Sequence, residues 1–130
     1  MLALDIIGAE LAPAAPSPEE IKRLCELALA SRGVQSGHLA VHFVSAEAIA
    51  ELNRAHRGRT GPTDVLSFPI DGTGPSAGPR ELGDVMVCPV HTASVPEAIV
   101  HGVLHLLGMD HETDAGQMLA LQAQLLGEGS

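Results

Sequence analysis

The chain has 130 residues, enough for one domain with a buried core, and a formal net charge of −9 that argues against broad, non-specific affinity for nucleic acid. No run reaches the roughly 18 apolar residues of a membrane span, and Met1 to Ile7 lacks the basic flank of a signal peptide. Cys25 and Cys88 are isolated, so neither a disulfide framework nor a C-x-x-C metal knuckle is available.

These bounds predict one cytosolic domain spanning 1–130, without membrane contact, whose cysteines are small buried hydrophobes. Leu2 to Ile7 is predicted as a short strand, followed by a Pro- and Ala-rich connector that ends at Ser17. Ser17-Pro-Glu-Glu20 is a helix start: Ser caps, Pro takes the first helical position, and Glu20 is placed to complete a capping box. Ile21, Leu24, Cys25, Ala28 and Leu29 then mark one apolar face, and Gly33 ends the helix. Leu39, Val41 and Phe43 alternate with Ala40 and His42, the period of a half-buried strand, so His42 reads as a strand-face residue rather than a ligand.

Ser45 is placed to cap a second helix running to about Ala55, with Ile49 and Leu52 inward. After an arginine-rich turn, Thr63 to Phe68 is rich in strand formers and is stopped by Pro69. A Gly/Pro/Ser loop from Asp71 to Pro79 leads to a strand over Leu82 to Cys88, and the two strands form an antiparallel hairpin. A histidine-bearing helix starts near Pro96 or Glu97, and Thr113 is placed to cap a last helix with Met118, Leu121 and Leu125 inward. This order of elements predicts the α+β class, with helices packed on a small mixed sheet of about four strands.

The histidine helix carries the chemistry. His101 and His105 are four apart, so on a helix they share one face and can chelate a single ion, as zincin-like metal helices do. Gly108 lets the chain leave the helix and bring His111 towards the same ion. Three imidazoles suit one zinc ion, with a fourth position left to water or substrate. The spacing H-x-x-x-H-x-x-G-x-x-H is that of metzincin peptidases, but Gly102 stands where those enzymes carry a glutamate base. A glycine cannot accept a proton, so peptide hydrolysis by that route is poorly supported. Asp110, beside the third histidine, either orients an imidazole or transfers a proton, the first being preferred. Asp84, a carboxylate in an apolar strand, either bonds a ligand histidine or an arginine, or faces water at a sheet edge.

Several blocks together resemble one family, the YbeY endoribonucleases or rRNA maturation factors. They are Leu52-Asn53, Arg57-Gly58, Pro62-Thr-Asp-Val-Leu-Ser-Phe-Pro69, Leu82-Gly-Asp84 and the run from His101 to His111, with Met118 beyond it. The resemblance implies a metal-dependent, single-strand-specific endoribonuclease that matures the 3′ end of small-subunit rRNA and acts in ribosome quality control. It implies one zinc ion held by His101, His105 and His111, with Arg57 as the functional arginine. Its partners are then single-stranded rRNA and the small ribosomal subunit. His56 and Met109 stand where the family often has tyrosine, and the segment between Asp84 and His101 is shorter than usual, lacking most of a helix.

On that reading the planar fork of Arg57 stabilises charge on phosphate oxygens, whereas Arg54 and Arg59 are helpers or solvated. Thr63 and Asp64 organise the arginine loop by side-chain hydrogen bonds to backbone. With Phe43 and Phe68 the only aromatic residues, RNA is held by phosphate contacts and groove shape more than by stacking. Glycine inside a helix costs about 1 kcal/mol relative to alanine, so Gly102 is expected to keep space open beside the ion for phosphate and ribose. Two further readings remain: a non-catalytic ribosome-assembly factor with a structural zinc, and, less favoured, a metallopeptidase.

Overall fold

The computed structural model describes residues 2–70, 81–109 and 116–129. In chain order these form β1 (Leu2–Ile7), α1 (Pro18–Ser31), β2 (Gly37–Phe43), α2 (Ala46–Arg57), β3 (Val65–Pro69), β4 (Glu81–Val87), α3 (Val95–Leu106) and α4 (Gln117–Gly129). Single turns of 3-10 helix lie at Ala9–Leu11 and Pro89–His91. The strands make one sheet in the order β1-β2-β4-β3. β1 and β2 run parallel, which a crossover through α1 allows, and β2 is again parallel to β4. β3 pairs antiparallel with β4, as the hairpin reading expects. The loop expected at 71–79 lies outside the described residues. The class is therefore α+β with a mixed four-stranded sheet. Among the described residues no helix is long and apolar enough to cross a membrane.

Alternation along the strands divides the apolar residues into two clusters. Leu39, Val41 and Phe43 of β2 and Val85 and Val87 of β4 meet α1, α3 and α4 in the larger one. The five apolar positions read on α1 are all buried there, as are Met118 and Leu125 of α4. Each fully buried aliphatic side chain of this kind contributes about 1.5–3 kcal/mol. On the other face, Ile49 of α2 covers Leu66 and Cys88, with Leu52, Phe68 and Met86 packed around them. Both cysteines are buried, and burial pushes the Cys25 thiol up to about 12.

Serine caps set the helix starts. Ser17, Ser45 and Ser94 accept the backbone N–H of Glu20, Ala48 and Glu97 at 3.2, 3.1 and 3.3 Å. Ser94 caps α3 one residue earlier than expected, whereas Thr113 lies outside the described residues. The Glu20 carboxylate turns forward to the Arg23 guanidinium, whose Nε lies 2.7 Å from its Oε1, instead of closing the capping box. A two-pronged ionic hydrogen bond outweighs one to a backbone amide. α2 runs two residues beyond the expected Ala55 and ends where Gly58 adopts φ 65°. The short segment between Asp84 and His101 is braced by Thr92, whose hydroxyl donates to the carbonyls of Cys88 (2.7 Å) and Asp64 (3.3 Å).

Gly102 corrects one expectation. A Cβ built there would lie 2.5 Å from Val85 Cγ1 and 3.3 Å from Ser67 Oγ, so the space beside this glycine is filled by the sheet. The Ser67 hydroxyl also donates to the Gly102 carbonyl at 2.9 Å. The glycine allows α3 to lie close on β3 and β4; it does not leave room for substrate. The two carboxylate-bearing strands correct another. Asp84 accepts from His42 Nε2 at 2.9 Å, so among the described residues its partner is neither an expected ligand histidine nor an arginine, and His42 is a strand-face residue as expected. Nearby, His38 pairs with Glu81 through Nδ1 and with Asp5 Oδ2 through Nε2 at 2.7 Å.

Two outcomes follow from these contacts. Gly102→Ala gains helix propensity but overpacks a stiff, buried valine, so it should destabilise by about 1–3 kcal/mol. Adding Val85→Ala should make the second change less harmful than it is alone, as a double-mutant cycle in denaturant measures. Hydrogen bonds to Glu81 and then to Asp5 raise the His38 pKa above its ordinary value. Stability from the charged imidazole is then fully present below about pH 6.5 and is lost as pH rises through the folded-state value. Thermal unfolding of His38→Ala should show a larger deficit at pH 6 than at pH 9; equal deficits would remove the charge from the account.

Candidate active site

α3 places His101 and His105 one turn apart on a half-buried face. Their Nε2 atoms are 3.1 Å apart, and the rings meet edge-to-face at 4.7 Å between centroids. Two imidazole nitrogens bound to one tetrahedral zinc at roughly 2.0–2.1 Å stand about 3.3 Å apart. The pair therefore has the donor chemistry and the spacing for a shared ion. α3 ends in a Schellman motif: Gly108, at φ 92°, donates to the His105 carbonyl and Met109 to that of Leu104, at 3.0 and 3.1 Å. The helix stop is thus where the histidine spacing requires it. Asp110 and His111 follow immediately and lie outside the described residues. Among the described residues no cluster of three or more metal-binding side chains forms.

A groove of about 1000 Å³ opens beside the two histidines. One wall is the end of α2 and the loop after it, with His56, Arg57 and Arg59; β3 supplies Val65 through Pro69; α3 supplies His101 and His105. Arg57 is the last residue of α2 and is exposed. Arg54 instead pairs with Glu51 on the helix surface. The groove thus draws together two of the three clustered arginines, although the chain as a whole is acidic. His56 meets Phe68 edge-to-face at 4.6 Å.

The loop after Arg57 is held from beneath. Asn53, buried on α2, donates its side-chain N–H to the Gly61 carbonyl at 3.0 Å. Asp64 Oδ1 accepts from the Val65 amide at 2.9 Å, the side-chain-to-backbone role expected of it, and from the Thr63 hydroxyl at 3.3 Å, which bonds this side chain rather than backbone. The Asp64 carbonyl accepts from the Cys88 amide at 2.9 Å, which ties the loop to the end of β4.

Two residues at the site have partners that sequence spacing does not show. Asn53 stands in the sequence only as part of a motif block. Gln122 of α4 was overlooked: its Oε1 lies 2.8 Å from His101 Nδ1, and its Nε2 lies 3.3 Å from Glu97 Oε1. The signal was available, since Gln122 falls between Met118 and Leu125 at helical spacing and is therefore a polar residue on a buried stripe.

Comparison with known proteins identifies the family. A family model described as Endoribonuclease YbeY matches residues 14–129. A relative from Rubrobacter xylanophilus, named endoribonuclease YbeY, is 37% identical over 85% of this chain and 83% of its own length. Another of that name, from Stutzerimonas stutzeri, is 38% identical over 98% of this chain and 88% of its own. A Thermotoga maritima protein solved in solution superposes with a TM-score of 0.57 at 27% identity, covering 97% of this chain and 88% of that one. The chain belongs to the endoribonuclease YbeY family.

Proposed function

We propose that this protein is a metal-dependent endoribonuclease that cuts single-stranded RNA, with small-subunit rRNA as substrate during 3′-end maturation and ribosome quality control. The observation that carries the reading is the groove that joins Arg57 and Arg59 to the paired Nε2 atoms of His101 and His105. His101, His105 and His111 would hold one zinc ion, which would supply a water of lowered pKa and a Lewis acid for a phosphoryl oxygen.

The chain's own residues do the rest. Arg57 presents two parallel N–H donors to phosphate oxygens and stabilises the charge that builds up as the phosphorus centre is attacked. Arg59 on the same wall attracts the adjoining backbone, and the acidic remainder of the protein confines RNA to this groove. Phe68 already has His56 against its ring, so phosphate contacts and shape dominate over base stacking. Peptidase chemistry is disfavoured by Gly102, because a side chain at that position is directed at Val85 and Ser67. A non-catalytic assembly factor could also use the arginines to bind RNA, but a structural zinc is closed off by four protein ligands, whereas His101 and His105 line the open groove.

Metal and arginine are separable in experiment. His105→Ala should lose stoichiometric zinc, measured by elemental analysis of the purified protein, together with RNA cleavage; one retained equivalent would sink the ligand set. Arg57→Ala should keep zinc and the fold yet cleave single-stranded RNA about 10²–10³-fold more slowly, the size of a lost transition-state donor. Arg57→Lys should recover little, because an ammonium keeps the charge without the planar fork. Multiple-turnover cleavage by wild type that stops on chelation and returns with zinc tests the whole reading. Wild-type rates in Arg57→Ala at saturating RNA would reduce that arginine to a solvated residue.

A further inference from the structure

His101 also makes a polar contact with α4. Its Nδ1 is 2.8 Å from Oε1 of Gln122, and the amide nitrogen of Gln122 is 3.3 Å from Oε1 of Glu97, one turn earlier on α3. Gln122 is only 6% exposed, on a helix whose Met118 and Leu125 are in the core. Its amide therefore has few alternatives to these two partners.

The chain of three groups has one self-consistent arrangement of hydrogens. An ionised carboxylate only accepts, so Gln122 turns its NH₂ to Glu97 and its carbonyl to His101. A carbonyl also only accepts, so the proton on His101 sits at Nδ1. Neutral imidazole has a single N–H, which leaves the lone pair on Nε2, the atom 3.1 Å from Nε2 of His105. We infer that Gln122 is a positioning residue for a divalent cation site: with Glu97 fixing the sense of its amide, it holds His101 as the Nδ1–H tautomer and presents Nε2 to the ion. The inference rests on the zinc reading given above, and it brings α4 into the site although none of the expected metal ligands is on that helix.

The test uses the full chain, zinc alone as ligand, a competing chelator to measure affinity, and nitrogen NMR of labelled histidines to read tautomers. In metal-free wild type, His101 should be protonated at Nδ1. Gln122→Leu removes the acceptor at similar volume, and its zinc Kd should rise roughly 10- to 100-fold while His101 becomes a mixture of tautomers. The exchange Glu97→Gln with Gln122→Glu keeps an acceptor on Nδ1 and reverses only the outer hydrogen bond, so it should bind zinc within a few-fold of wild type. Two results overturn the inference: Nε2–H at His101 in the metal-free protein, or wild-type zinc affinity in Gln122→Leu. The tautomer of wild type is informative even if a variant does not fold. Failure of the underlying site is distinguishable, because wild type would then bind no zinc in a manner that depends on His105.

Discussion

A helix can approach a sheet only as closely as the side chains between them permit, and at Gly102 α3 has none to interpose. A Cβ there would stand 2.5 Å from Val85. The rest of the site depends on this close seat. It buries Ile99, Val100, Val103 and Leu106 in the larger core, so the face carrying His101 and His105 is turned to the edge of the sheet. It also brings the Gly102 carbonyl within reach of the Ser67 hydroxyl, which joins helix and edge strand at the floor of the groove.

The groove exists because elements from opposite faces of the sheet meet at β3. α2 packs through Ile49 on one face, and α3 lies on the other. β3 is the edge strand between them, so only this one strand separates the arginine wall from the histidine wall. Asn53 and Asp64 then fix the connecting loop by bonds to Gly61 and Val65. The arrangement sets guanidinium groups from a helix end and its loop against imidazole nitrogens from a helix face. Neither element supplies both.

Local signals were legible in the sequence and long-range ones were not. The buried stripe of α1, the serine caps at Ser17 and Ser45, the stop at Gly108 and the pairing of His101 with His105 all depend on residues within a few positions of one another. The role of Gly102 was misread because spacing tells which side chain is missing but not what lies opposite. That Asp84 would bond His42 depends on β2 and β4 being neighbours, a pairing made across some forty positions with a register shift near His38. Gln122 was lost for a similar reason. A glutamine on an apolar stripe signals a buried partner, but only the packing of α4 on α3 identifies it as His101.

The dependence of α3 on α4 bears on how the protein comes into being. During synthesis α3 leaves the ribosome first, and Met118 and Leu125 complete its burial only once α4 has followed. Domains generally fold as units as they emerge. A nascent chain that ends after α3 thus has His101 and His105 but not the packing of α4 against that helix. In a member of an endoribonuclease family, the helix face that carries His101 and His105 is then completed only when the last helix has been made.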